Sequence, residues 1–216
     1  MLVAVVALVV GGGSALAVVR PAVLPMSANV FVEQPSGSLA IQFSGRVPAA
    51  RGGDRVVMLV RDCQSRYFRQ VGGATTTDGG VWMVRGGGSG TAGFPLAGSG
   101  STYQARWKGR PTAPFTFRTR LEPYVFKYNA TDFSTWIAIP FGEPLVAIGG
   151  RTVALQRLTD NGWATIRTIR LRREELRRFS AHFKVTTPGL TLRVLASART
   201  ARPCYNGGAS DIVRSG

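Results

Sequence analysis

One histidine, two cysteines and 11 scattered carboxylates are the conventional acid–base, thiol and metal-ligating groups this chain offers. His182 lies in a run where Phe179, Ala181, Phe183 and Val185 alternate with Ser180, His182 and Lys184. A strand there would bury the first set and turn the imidazole to solvent. A serine triad would have to use that exposed ring, and no Gly-x-Ser-x-Gly elbow accompanies it. Cysteine and histidine are too few and too dispersed for a four-ligand zinc site, and no dense Asp/Asn ladder of the calcium-binding kind occurs. Gly88-Ser-Gly90-Thr-Ala-Gly93 matches a dinucleotide-type glycine string, but it runs into Phe94-Pro95 where a phosphate-binding helix would have to begin. Asp78 and Asp160 stand in Thr-Asp-Gly-Gly and Thr-Asp-Asn-Gly sequences, where Asp bonds its own backbone and glycine takes positive φ. The reading is of a chain without catalytic residues, metal or cofactor, and not an enzyme.

What the chain has in quantity is positive charge: Lys plus Arg number 27 against 11 acids, a net +16. The densest concentration is Arg167, Arg170, Arg172, Arg173, Arg177 and Arg178, in and beside the stretch Arg170 to Phe179. Its spacing predicts a short helical connection with i,i+4 pairs Arg170–Glu174 and Glu174–Arg178. A field of this sign attracts anionic polymers, so these six arginines are the candidate binding site for anionic cell-wall polymers or acidic polysaccharide, with nucleic acid the lesser candidate. The competing reading is a solvated face: only Lys108, Lys127 and Lys184 among the cations are lysine, and arginine-heavy usage also follows from a GC-rich genome.

Met1 to Val19 carry no charge, with an apolar block Leu2 to Val10, three glycines, and Ala15-Leu16-Ala17 as a small-x-small cleavage pattern. Residues 1–19 are read as a signal peptide cut after Ala17; a membrane anchor is the alternative, since nineteen helical residues span about 28 Å. Export implies an extracellular or cell-envelope location, where Cys63 and Cys204 would pair rather than persist as two buried thiols.

The elements that must position these groups are short strands. From Asn29 to Arg118 seven runs alternate apolar and polar residues, among them Leu39 to Arg46, Arg55 to Arg61 and Thr102 to Lys108, and seven more follow from Tyr124 to Arg214. The predicted organisation is a β-sandwich over 22–119 and a second over 120–216. Gly53-Asp-Arg-Val-Val-Met-Leu aligns with Gly150-Arg-Thr-Val-Ala-Leu-Gln, and Phe68-Arg-Gln-Val with Trp163-Ala-Thr-Ile, the mark of a tandem repeat. Val56, Met58, Val60, Val153 and Leu155 are expected to face inward, with Phe68 and Trp163 covering them as core. Gly86 to Gly100 is expected to be a mobile loop.

These same segments, with Gly45-Arg-Val, Thr77-Asp-Gly-Gly-Val-Trp, Tyr103-Gln-Ala-Arg-Trp and Gly162-Trp, resemble the bacterial immunoglobulin-like repeats of secreted actinobacterial proteins. The resemblance covers nearly all of the chain after the leader and rests on structural motifs. It implies an all-β fold of two tandem immunoglobulin-like or fibronectin-III-like sandwiches, serving as extracellular spacer or adhesion modules, and supplies no catalytic residues. The resulting expectation is a secreted or envelope structural or binding module, with a dedicated polysaccharide- or nucleic-acid-binding protein as the alternative.

Overall fold

The computed structural model describes residues 23–32, 39–87, 93–140 and 143–216; the expected leader or anchor at 1–19 and most of the Gly88–Gly93 string lie outside them. In the first half the strands are β1 (Met26–Val32), β2 (Leu39–Arg46), β3 (Arg55–Arg61), β4 (Arg69–Thr75), β5 (Val81–Gly87), β6 (Thr102–Trp107), β7 (Arg110–Pro111) and β8 (Phe115–Thr116). One sheet has the order β1-β2-β5; the other runs β4-β3-β6-β7, with β8 also on β6. Ile41 and Phe43 of the first sheet and Val56, Met58, Val60 and Tyr103 of the second alternate inward and meet in one buried cluster with Trp82.

The second half repeats the plan. Its strands are β9 (Arg120–Leu121), β10 (Tyr124–Lys127), β11 (Asp132–Ala138), β12 (Thr152–Thr159), β13 (Gly162–Arg170), β14 (Arg172–Arg173), β15 (Arg178–Lys184) and β16 (Thr191–Ala196), then a one-turn helix α1 (Ala198–Ala201), β17 (Asn206–Ala209) and β18 (Val213–Arg214). The sheets are β10-β11-β15-β14 and β13-β12-β16-β17-β9, with β18 on β16. Phe133, Ile137, Val153, Leu155, Phe179, Phe183 and Val194 form a separate buried cluster between them. Each such side chain contributes about 1.5–3 kcal/mol on burial. The chain is all-β, two tandem sandwiches of immunoglobulin-like or fibronectin-III-like type.

The segments aligned by sequence occupy equivalent places. Gly53 and Gly150 both turn into the strand with φ near +80°, at +85° and +82°, a conformation that favours glycine. The β3–β4 hairpin bulges between Met58 and Leu59, and the β12–β13 hairpin between the aligned Leu155 and Gln156.

Three expectations are corrected. Arg170 to Phe179 is not helical: β14 and β15 pair antiparallel there, Arg172 opposite Ser180, and the turn closes by Glu174 N–H and Glu175 N–H donating to the Arg178 carbonyl. A helix this short is marginal in water, and the hairpin buries both Leu171 and Phe179. The Glu174–Arg178 pair does form, at 3.2 Å, but across that hairpin. Phe68 and Trp163 are not core either: both are half-buried outside the two clusters, lying under the guanidinium groups of Arg61 (5.1 Å) and Arg193 (4.2 Å). Gly86 to Gly100 is not one loop, because Gly86 and Gly87 end β5 and Phe94 is buried against Phe43 and Tyr103.

Cys63 and Cys204 are bonded, with their Cα atoms 5.5 Å apart. The bridge ties the first unit to the second, and the turn at Gly98–Ser101 packs against it. Gly100, at φ +81°, lies so near that an added Cβ would sit 2.6 Å from Cys204 Cα. Tyr103 fixes the same turn from within, its hydroxyl accepting from Ala97 N–H at 3.0 Å, and burial pushes its pKa up to about 12.

Candidate anion-binding groove

Leu171 is the pivot of the candidate site. β13 belongs to one sheet of the second unit and β14 to the other, so the chain changes sheets at this residue, whose side chain is buried. The flanking residues therefore turn outward on both lips of the sandwich edge: Arg167 and Arg170 from β13, Arg172 and Arg173 from β14, all exposed. The four line a groove of about 730 Å³ whose floor includes Gly150, Ser180 and His182. A second hollow of about 450 Å³ shares Arg167 and His182 with it and continues past Lys184, Asp132 and Tyr128.

Of the six arginines singled out by sequence, the fold brings together these four and takes two elsewhere. Arg177 is half-buried and its Nη1 donates to the carbonyls of Pro140 (2.7 Å) and Glu143 (2.9 Å). Arg178 lies on the outer face of the β10-β11-β15-β14 sheet, over the Trp136 ring at 4.7 Å and paired with Glu174.

The acids near the groove are already engaged. Glu174 accepts from the Ser180 hydroxyl and from Arg178. Asp132 pairs with Lys184 at 3.4 Å, and hydrogen bonding from the Asn129 side chain, then from Lys184, holds its carboxyl below the usual value. Among the described residues no cluster of three or more His, Cys, Asp or Glu is placed to hold a metal. His182 is exposed as expected, with its ring 6.2 Å from that of Tyr128. The arrangement offers guanidinium donors and positive charge to an anion, with the His182 imidazole beside them, while the Ser180 hydroxyl is taken up by Glu174; it presents no activated nucleophile.

Sequence reasoning missed an aromatic row beside the groove. Tyr124 (54% exposed), Phe126 (55%) and Tyr128 (59%) point outward along β10 and its end, and Tyr124 stacks on Trp136 with ring centroids 4.8 Å apart. The signal was there: Tyr-Val-Phe-Lys-Tyr sets aromatics at period two.

No family model matches the chain, and no curated protein matches it. Among solved structures it is similar to the chicken interferon gamma receptor alpha chain, at 10% identity and a TM-score of 0.37, over 88% of this chain and 97% of that one.

Proposed function

We propose that the protein is an exported binding module of the cell surface or envelope that holds anionic polymers through the groove of its second unit, without catalysis. The observation that carries this reading is the gathering of Arg167, Arg170, Arg172 and Arg173 on one open groove. An even spread of arginine would express composition alone; four arginines lining one groove across a sheet switch favour a site, because each can present a fork of donors to carboxylate, sulfate or phosphate. The interdomain disulfide supports an oxidising compartment, and the uncharged stretch Met1 to Val19 supports export. The resemblance to immunoglobulin-like repeats of secreted actinobacterial proteins supports the same setting.

The test is retention of the full chain on immobilised heparin and on teichoic acid against a neutral dextran. The reading expects retention on both anionic matrices, released by salt, and none on dextran. Equal retention on all three, or release indifferent to salt, overturns it.

A further inference from the structure

The outer face of the β10-β11-β15-β14 sheet is graded from aromatic to cationic. Its register sets three transverse rows. The first runs Tyr124, Trp136, Ser180, Arg172. The second runs Phe126, Ser134, His182. The third runs Tyr128, Asp132, Lys184, with Tyr128 N–H donating to the Asp132 carbonyl at 2.9 Å. Every row thus begins on an exposed aromatic ring and ends on a nitrogen-bearing side chain, Arg172, His182 or Lys184, about 10 to 14 Å away at ordinary strand spacing.

From this gradient we infer that the face binds an acidic polysaccharide laid across the strands, neutral sugar rings on Tyr124, Phe126 and Tyr128 and acid groups at Arg172, His182 and Lys184. The inference rests on the groove reading, because Arg172 and His182 belong to both.

Three observations favour this occupant. The exposed rings adjoin, Phe126 against Tyr128 at 4.9 Å and Tyr124 against Trp136 at 4.8 Å, and a contiguous exposed apolar patch of this kind marks an interaction surface. Tyr124 gives one ring face to Trp136, and β10 is the edge strand, so its other face is turned to solvent. The apolar C–H face of a pyranose ring matches such a surface, and tyrosine adds a hydroxyl able to hydrogen-bond sugar hydroxyl groups. The third observation separates a glycan from a polymer charged at every unit. The residues paired with the aromatics on the next strand are Ser134, Asp132 and Trp136, none of them basic; the Asp132 carboxylate is paired with Lys184 at 3.4 Å, and the Arg178 guanidinium lies on Trp136 rather than on the ring row. Phosphate at every repeat would place unpaired charge there, whereas a glycan with acids on only some of its sugars sets neutral rings on the aromatics and anions on the basic edge.

The experiment compares hyaluronan, whose carboxylates alternate with neutral sugars, with inorganic polyphosphate and a poly-dT oligonucleotide on the full chain. The variants are Tyr124→Ala/Phe126→Ala/Tyr128→Ala, the conservative Tyr124→Phe/Tyr128→Phe, and Arg167→Gln/Arg170→Gln/Arg172→Gln/Arg173→Gln, each with its melting curve. The aromatic triple variant should weaken hyaluronan about tenfold or more and leave polyphosphate unchanged; the Tyr→Phe pair, which keeps the rings, should keep most hyaluronan affinity. The arginine variant should weaken both polymers. Hyaluronan binding unmoved in an aromatic variant that melts like the parent overturns this inference and leaves the groove reading standing. Binding unmoved in the arginine variant overturns both. Poly-dT bound as tightly as hyaluronan, with the same aromatic dependence, assigns the face to nucleic acid and overturns the inference.

Discussion

Ser99, in the first unit, is held at two atoms by the second: its N–H donates to Glu143 Oε2 at 2.6 Å and its hydroxyl to the Cys204 carbonyl at 2.7 Å. The same hydroxyl accepts from Thr119 N–H at 2.8 Å, and the residue is fully buried. Ser99→Ala takes a partner from both the Cys204 carbonyl and the Thr119 amide. The expected cost is about 1–3 kcal/mol, a fall of several degrees in Tm by calorimetry; a melt superposing on the parent contradicts this account of the junction.

The Cys63–Cys204 bond joins residues separated by 141 positions. Chain-entropy arguments give a bridge of that span about 4–5 kcal/mol. Reduction, or Cys63→Ser/Cys204→Ser, should lower the denaturant midpoint and separate the unfolding of the two sandwiches into two transitions followed by tryptophan fluorescence. An unchanged single transition would show that the bridge couples nothing.

Asp54 makes stability depend on acid. Its Oδ2 lies 3.2 Å from Lys108 Nζ and 3.1 Å from Trp107 Nε1, and the hydrogen bond from Lys108, ahead of those from Arg51 N–H and Trp107, holds its carboxyl below the usual value. Because the folded pKa is depressed, the stabilisation is complete above the ordinary carboxylate range, about pH 4, and is lost as pH falls through the lower folded value. Parent and Asp54→Asn should therefore differ in Tm at pH 7 and converge toward pH 2. A gap that stays constant or widens on acidification contradicts the assignment.

The strands were readable where one face alternates cleanly: Leu39 to Arg46 and Arg55 to Arg61 are β2 and β3 residue for residue. The arginine run was readable as composition, but not its geometry, since the change of sheet at Leu171 is what separates the groove arginines from Arg177 and Arg178. A helical pattern of charges misled at Arg170 to Phe179 because burial of Leu171 and Phe179 outweighs i,i+4 pairs worth a few tenths of a kcal/mol each. Phe68 and Trp163 read as core because sequence hides the cross-strand guanidinium that covers each ring. In Tyr124 to Tyr128 every outward residue and Val125 are apolar or aromatic, so hydropathy does not say which face is inside; packing of Val125 against the core decides it.

Trp136 is held between the Tyr124 ring and the Arg178 guanidinium, and Arg178 in turn by Glu174. Arg178→Ala should expose one indole face and raise the accessibility of tryptophan fluorescence to an external quencher, with a stability loss of about 0.5–2 kcal/mol for the stacked cation. No change in quenching would contradict the stack.

The central claim is that the arginines of the groove act as a site rather than as a share of the overall charge. Its most direct test is the salt dependence of heparin affinity for two variants of equal charge: Arg167→Gln/Arg170→Gln/Arg172→Gln/Arg173→Gln in the groove, and Arg51→Gln/Arg55→Gln/Arg66→Gln/Arg106→Gln, all exposed, on the first unit. The groove variant should lose slope in log affinity against log salt by about one for each arginine that meets an anion, while the other keeps the parent's slope. Equal losses from both variants would contradict the claim, and return the +16 charge to composition.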